Sequence, residues 1–190
     1  MSEWAQKRDI MLRYNSTAHC YDRRYFEEQT LKIKAAIEGV NVRKESLILD
    51  VGCGTGLLFD YATKRAKTIV GLDISRETLL KAKKRAKKSS KIHLIFADAD
   101  NMPFKKGVFN HVFSITLMQN MPDPIVTLKE IKRVTKEDAF IVITGLKKKF
   151  SNETFNRLLR DANLRVIESR SEGLKSYVTA CIKISSQKSN

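Results

Sequence analysis

From Leu47 onward the hydrophobic positions switch back and forth between two spacings, and that alternation predicts the fold. Short aliphatic runs read as seven strands: Leu47–Val51, 68–72 ending at Asp73, Ile92–Phe96 ending near Asp98, 108–117, 139–144, 164–169 and 177–184. Stretches with helical spacing separate them. One runs from Leu57 to about Ala66. A second, from Glu77 to about Lys88, carries Leu79, Leu80, Ala82 and Ala86 on one face. A third, 123–135, repeats Ile125, Leu128, Ile131 and Val134, and a fourth, 152–163, starts behind Ser151 as N-cap. Gly173 lies between the last two strands and predicts a hairpin. Residues 1–30 are polar and aromatic, with Tyr14, Tyr21, Tyr25 and Phe26, and read as a helical arm. The expectation is an α/β fold, doubly wound, with a mostly parallel seven-stranded sheet, helices on both faces and a C-terminal antiparallel hairpin. A single domain is expected, divided into an arm (1–45), a core (46–145) and a closing helix and hairpin (146–190).

The chemistry concentrates where strands end. Leu49-Asp50-Val51-Gly52-Cys53-Gly54-Thr55-Gly56 follows the first strand and opens a helix. Three glycines in five residues allow a tight turn and a close approach of a ligand to the main chain. The dinucleotide pattern G-x-G-x-x-G fails, because its third position falls on Leu57. No Gly-Lys-Ser/Thr follows either, so a nucleoside without phosphates fits better than a pyrophosphate. The acids agree. Asp73, 17 residues after Gly56, is placed to accept from both ribose hydroxyls, and Asp98 from an exocyclic adenine amine. Asp50 suits either an amino acid ammonium or the N–H groups of the loop itself.

These motifs resemble the class I S-adenosylmethionine-dependent methyltransferases, and in particular the subgroup called methyltransferase type 11. The matching segments are LDVGCGTG at 49–56, GLDIS at 71–75, FADADNMPF at 96–104 and FNHVFSITLMQNMPDPIVTLKEIKRV at 109–134. The resemblance covers residues 47 to about 145 and implies S-adenosyl-L-methionine as cofactor. It implies that Gly52, Gly54 and Gly56 pack against the methionine part, with Asp50 behind the loop and Cys53 a small packing residue within it. Asp73 would bind the ribose, and Asp98 with the backbone near Ala99 the adenine. Ile74 and Met102 would flank the base. Tyr14 and Tyr21 belong to a Y-x-x-x-A-x-x-Y-D arm that closes over the cofactor in relatives, where an aromatic ring can face the sulfonium. Two positions depart from the pattern. Asn110, followed by His111, replaces a common acid, and Asn120 replaces a His, which argues against a His-based proton relay there.

Methyl transfer from a sulfonium needs alignment and exclusion of water more than it needs a catalytic triad. Gln119 and Asn120, after the fourth strand, are the candidates for orienting an acceptor. The Asn-Pro-Pro-Tyr clamp of exocyclic-amine methylases is missing.

Charge sharpens the choice of acceptor. Lys and Arg number 36 against 21 Asp and Glu, a formal net charge of +15. Between Arg76 and Lys91 stand eight bases and one acid, Glu77, and Lys105, Lys106 and Lys147 to Lys149 follow strands. An RNA acceptor, tRNA or rRNA, is the first expectation. A small-molecule acceptor is the second, and a protein acceptor with a small activating subunit the third. Cys20, Cys53 and Cys181 form no CxxC pair, and the three histidines are scattered, so no metal is expected. No apolar signal core opens the chain and no run is long enough to cross a membrane, so a cytoplasmic protein without membrane contact is expected.

Overall fold

A computed structural model describes residues 2–184. Its elements in chain order are α1 (Glu3–Glu38), β1 (Leu47–Val51), α2 (Leu57–Ala62), β2 (Thr68–Asp73), α3 (Arg76–Ala86), β3 (Ile92–Phe96), β4 (Phe109–Ser114), α4 (Pro124–Val134), β5 (Thr135–Leu146), α5 (Asn152–Asp161), β6 (Leu164–Arg170) and β7 (Ser176–Lys183). A 3₁₀ turn at Met118–Asn120 lies between β4 and α4.

The seven strands form one sheet in the order β3-β2-β1-β4-β5-β7-β6. β7 pairs antiparallel with both neighbours, and the other pairings are parallel. Central strand β1, LILDV, is buried along almost its whole length, which is why it reads as a continuous apolar run rather than an alternation. One apolar layer, including Leu128, Ile131, Phe155 and Leu159, joins α4 and α5 to the sheet. The other, including Ile33, Ile37, Leu58, Phe59 and Ala82, joins α1, α2 and α3 to it. Strand order reverses between β1 and β4, so a crevice opens at the carboxyl edge there.

Local chemistry sets the helix starts. Ser75 accepts from Thr78 N–H at 3.3 Å and caps α3, Ser151 accepts from Thr154 N–H at 3.1 Å and caps α5. Asp123 accepts from Ile125 N–H at 2.9 Å, with Pro124 in the first turn of α4.

The structure departs from the expected boundaries in four places. α2 ends at Ala62 and not near Ala66. The arm is a single helix of 36 residues; its second half, with Ile33, Ala36 and Ile37, packs into the core, and Ala18 is buried in its first half. β4 stops at Ser114, because Thr116 turns to a φ of 65° and breaks the extended chain. β5 starts at Thr135 instead of Ala139; its polar opening Lys136-Glu137-Asp138 hides a strand that pairs Phe109 with Thr135 before a register shift. Asn110, the departure from the family pattern, accepts from Leu47 N–H at 2.9 Å and anchors the start of β1.

Candidate functional site

The crevice at the switch point is lined from both sides of the reversal. β1 and its loop contribute Gly52 and Gly54; β2 contributes Leu72 and Asp73, continued by Ile74 and Ser75. The segment after β3 adds Asp98 and Ala99, and the segment after β4 adds Ile115, Thr116, Leu117 and Asn120. The first half of α1 lies across it, presenting Lys7, Ile10, Met11, Tyr14 and Tyr21.

The glycine loop is held against β2. Gly52 and Cys53 donate their N–H groups to Leu72 O at 2.8 and 3.0 Å, and Gly54 donates to Asp73 Oδ2 at 2.8 Å. Gly54 has φ +53°, and a Cβ there would meet nothing within 4 Å, so its backbone faces open space. Gly56 has φ +79° and turns the other way: a Cβ there would lie 2.4 Å from the Phe59 ring. It shapes the entry to α2 and does not line the crevice. Cys53 is buried and directs Sγ toward Gly71, as a packing residue does.

Three carboxylates surround the loop. Asp73 also accepts from Ser75 N–H at 2.7 Å through Oδ1. Burial raises its pKa, and the N–H donors of Ser75 and Gly54 oppose that rise. Asp50 lies on the inner side of the loop, in a smaller pocket shared with Tyr21, Gln29 and Thr55. Burial, with the charge of Asp73 added, pushes its pKa up to about 8. Asp98 accepts from Asp100 N–H at 3.0 Å through Oδ1 and from Lys7 Nζ at 2.7 Å through Oδ2. Lys7 reaches Asp100 as well, at 2.5 Å. Burial works against the Lys7 ammonium, yet its hydrogen bonds and charge contacts with the two carboxylates raise its pKa overall.

A second, wider crevice of about 770 Å³ opens on the other side of α1. It shares Tyr14, Tyr21, Thr116 and Asn120 with the first, so the two meet at these residues. Tyr14, Tyr21 and Tyr25 form a ladder along α1, with ring centroids 6.0 and 5.0 Å apart. Lys148, Lys149 and Lys175 stand on the opposite rim.

Asn120 lies at the junction and Gln119 beside it on the wider crevice, and they differ in what they leave free. Asn120 Nδ2 donates to Tyr14 Oη at 2.9 Å and to Thr116 O at 3.1 Å, while Oδ1 accepts from Arg13 at 3.0 Å. Its amide is engaged at both ends, holding α1 against the turn after β4. Asn120 is therefore a clasp on the arm and not a free acceptor-orienting group. Gln119 Nε2 donates to Thr116 O at 2.7 Å, and its Oε1 is buried without a partner. Met102, expected beside the base, faces the core and is 3% exposed, because Arg133 and Glu130 hold its backbone in a turn pointing away from the crevice.

Several contacts had no signal in the sequence. Lys7 and Lys32 are two lysines among many. Asp22 accepts from Thr55 Oγ1 at 2.6 Å and pairs with Arg85 at 2.5 Å, and Arg85 also reaches Asp60 at 2.7 Å, so one base of the 76–91 cluster ties α1 to the glycine loop. Among the described residues no group of three or more His, Cys, Asp or Glu side chains is placed to hold a metal ion. Among them, too, no helix is long and apolar enough to cross a membrane.

Residues 49–143, half of the chain, match the family described as Methyltransferase domain. The chain belongs to the class I S-adenosylmethionine-dependent methyltransferases. The chain is 32% identical over 145 residues to a demethylmenaquinone methyltransferase of Staphylococcus haemolyticus, a match covering 73% of the chain and 61% of the relative. It is 33% identical over 120 residues to the protein of that name in Staphylococcus saprophyticus, covering 62% of the chain and 52% of the relative. The matched part thus spans between about half and three-fifths of these relatives. Two solved structures share its fold. A methyltransferase in complex with the Trm112 activator of Haloferax volcanii superposes with a TM-score of 0.80 at 17% identity, over 90% of this chain and 98% of that one. A SAM-dependent methyltransferase from Aquifex aeolicus gives 0.77 at 18%, over the same shares.

Proposed function

We propose that this protein transfers a methyl group from S-adenosylmethionine, held over Gly52 and Gly54, to RNA entering by the wider crevice. The observation that carries the methyl-transfer reading is the meeting of two crevices at Tyr14, Thr116 and Asn120. One is narrow and lined by spaced carboxylates, as the cofactor of this family requires. The other is wide and open, as an acceptor requires.

The donor crevice fits the cofactor in four respects. Gly54 offers backbone with free space beyond it. Asp73 and Asp98 each keep lone pairs after their present hydrogen bonds, enough to accept from ribose hydroxyls and from an adenine amine. Asp50 lies next to the loop, where an α-ammonium would stabilise its ionised form. Ile74 and Ala99 line the apolar part between the two acids. When bound, the cofactor supplies a methyl on a sulfonium that already carries its leaving group. The chain's part is to align and to exclude water. Tyr14 and Tyr21 wall the junction, and their burial raises both phenol pKa values, so they stay neutral there. α1 covers the cofactor side, fastened by Lys7, Asn120 and Asp22.

The basic rim at Lys148, Lys149 and Lys175 supports RNA as acceptor, because phosphates gain salt-dependent binding there. The tyrosine ladder supports it too, as a surface on which an unstacked base can lie. A small-molecule acceptor is the second reading, favoured by the name of the Staphylococcus relatives. The Trm112 complex of a structural neighbour supports a small activating subunit as partner. The cytoplasm is the compartment we propose, from the three unpaired cysteines. Modified nucleosides in total RNA, compared by mass spectrometry with and without the gene, test the acceptor. One methylated nucleoside should vanish on deletion and return when the purified protein is added. An unchanged nucleoside profile assigns the activity to a small molecule instead.

A further inference from the structure

Thr116 stands where the donor and acceptor crevices meet, and its backbone is strained. Its φ is +65°; the other non-glycine residue with positive φ among the described residues is Asn163 at +55°. Asparagine tolerates that region, whereas a β-branched residue there is an outlier that the surroundings must hold in place. The surroundings do so through every polar atom of Thr116. Its N–H donates to Thr144 Oγ1 at 2.7 Å. Its carbonyl accepts from Gln119 Nε2 at 2.7 Å and from Asn120 Nδ2 at 3.1 Å. Its hydroxyl donates to Gln29 Oε1 at 3.0 Å and accepts from Lys32 Nζ at 2.8 Å.

Lys32 is the unusual member of this set. It is 1% exposed, although lysine is almost never fully buried without a partner. Its single charge partner among the described residues is Glu28 on the same helix, at 3.1 Å, and Glu28 also lies 3.6 Å from Lys175 on the rim. Burial lowers the Lys32 pKa, and Glu28 counters it. A second carboxylate would satisfy a buried ammonium better than an alcohol does. The contact actually made is with the one strained residue at the junction, and α1 carries Gln29 to the same hydroxyl.

We propose that Lys32 is a positioning residue for methyl transfer: from under the junction it fixes Thr116, and with it the wall that donor and acceptor both face. The proposal rests on the reading of the two crevices given above. Lys32 itself lines neither of them, so it acts through Thr116 and not on the reacting atoms.

The test uses four full-length variants: Lys32→Met, Thr116→Val, Thr116→Ser and the double variant Lys32→Met/Thr116→Val. The probe for the donor side is S-adenosylhomocysteine, titrated by calorimetry. The probe for transfer is methyl-tritiated cofactor mixed with extract of gene-deleted cells, counted separately in the RNA, protein and organic-soluble fractions under single-turnover conditions. S-adenosylhomocysteine affinity is expected to stay within about threefold of the wild type in Lys32→Met, and to fall much less than the rate in the variants that alter Thr116, which lines the donor crevice. Transfer should slow at least tenfold in Lys32→Met and in Thr116→Val, and Thr116→Ser, which keeps the hydroxyl, should recover most of the rate. The double variant should be no slower than either single one, because the two residues act as one device. Additive slowing, full speed in Thr116→Val, or loss of affinity in step with rate overturns the proposal and leaves a merely structural lysine. If Lys32→Met does not fold, Lys32→Gln takes its place in every comparison. A wild type that binds no S-adenosylhomocysteine, or labels no fraction, overturns the reading of the crevices, and the role of Lys32 falls with it.

Discussion

On the cofactor placement proposed above, Asp50 should make binding release a proton. The residue is 3% exposed and its pKa is pushed up to about 8 by burial and by the charge of Asp73. At pH 7 a group with that pKa holds about nine-tenths of a proton. Asp73 keeps its own charge better, because Gly54 and Ser75 N–H groups point at it. An α-ammonium placed beside Asp50 favours the ionised form, so binding should expel that proton into the buffer. Apparent affinity should then rise by up to about tenfold per pH unit between pH 6 and 7.5. The assay is calorimetry with S-adenosylhomocysteine in two buffers of different ionisation enthalpy at the same pH. The difference in heat gives the protons released, expected to be about 0.9 at pH 7 for the wild type and none for Asp50→Asn. The same shift also sets the stability of the ligand-free protein. The unfolded chain loses this proton near 3.8, as a free aspartate does, while the fold keeps it to about 8. Stability therefore falls as pH rises from about 4 to 8, and Asp50→Asn should remove that decline. Equal heats in both buffers, or proton release that persists in Asp50→Asn, would refute the role given to Asp50.

Other parts of the structure give sharper local tests. In Gly71→Ala a Cβ would lie 2.6 Å from the Phe59 ring and 3.0 Å from Cys53 Sγ, so urea denaturation should show a loss of about 1–3 kcal/mol. His111 is buried and stacked on Phe140, and burial, followed by the charge of Arg43, lowers its pKa to about 4. The unfolded chain takes up this proton near 6.5 and the fold does not until about 4, so stability is lost as pH falls through that window. His111→Phe should abolish that component, read as the difference between the two denaturation curves at pH 7 and pH 4.5. Lys7→Gln removes the bridge from α1 to Asp98 and Asp100, which fastens the first turns of the arm over the crevice. Stopped-flow fluorescence of Trp4, one turn away, should show faster dissociation of S-adenosylhomocysteine by about five- to thirtyfold, corresponding to about 1–2 kcal/mol for a partly buried pair. An unchanged off-rate would show that the arm is held by its other contacts alone.

The strand–helix alternation was legible because parallel strands are buried on both faces and announce themselves as aliphatic runs ending in Asp or Gly. Leu47–Val51 and Ile92–Phe96 lie where their patterns put them. The opening of β5 was not legible, because Lys136-Glu137-Asp138 is exposed, carries the polarity of a loop and falls in the register shift between the Thr135 and Phe140 pairs. On the cofactor side, Gly52, Gly54, Asp73 and Asp98 come together as spacing along successive strands implied. The arm side was only half readable. Tyr14 and Tyr21 stand out by type, but nothing in a chain with 36 basic residues marks Lys7 or Lys32 as different from the rest. Their roles depend on which turn of α1 meets which strand end, and that is set by tertiary packing. The amide of Asn120 shows the same limit, since its position was foreseen and its partners, Arg13 and Tyr14, lie more than a hundred residues away.

A crystal structure grown with S-adenosylhomocysteine bears most directly on the whole account. The nucleoside should lie across the strand ends, its sugar hydroxyls on Asp73, its amine on Asp98 and its amino acid tail over Gly52 and Gly54 beside Asp50. Density for the ligand in the wider basic crevice, or at any site that leaves Asp73 and Asp98 untouched, would contradict it.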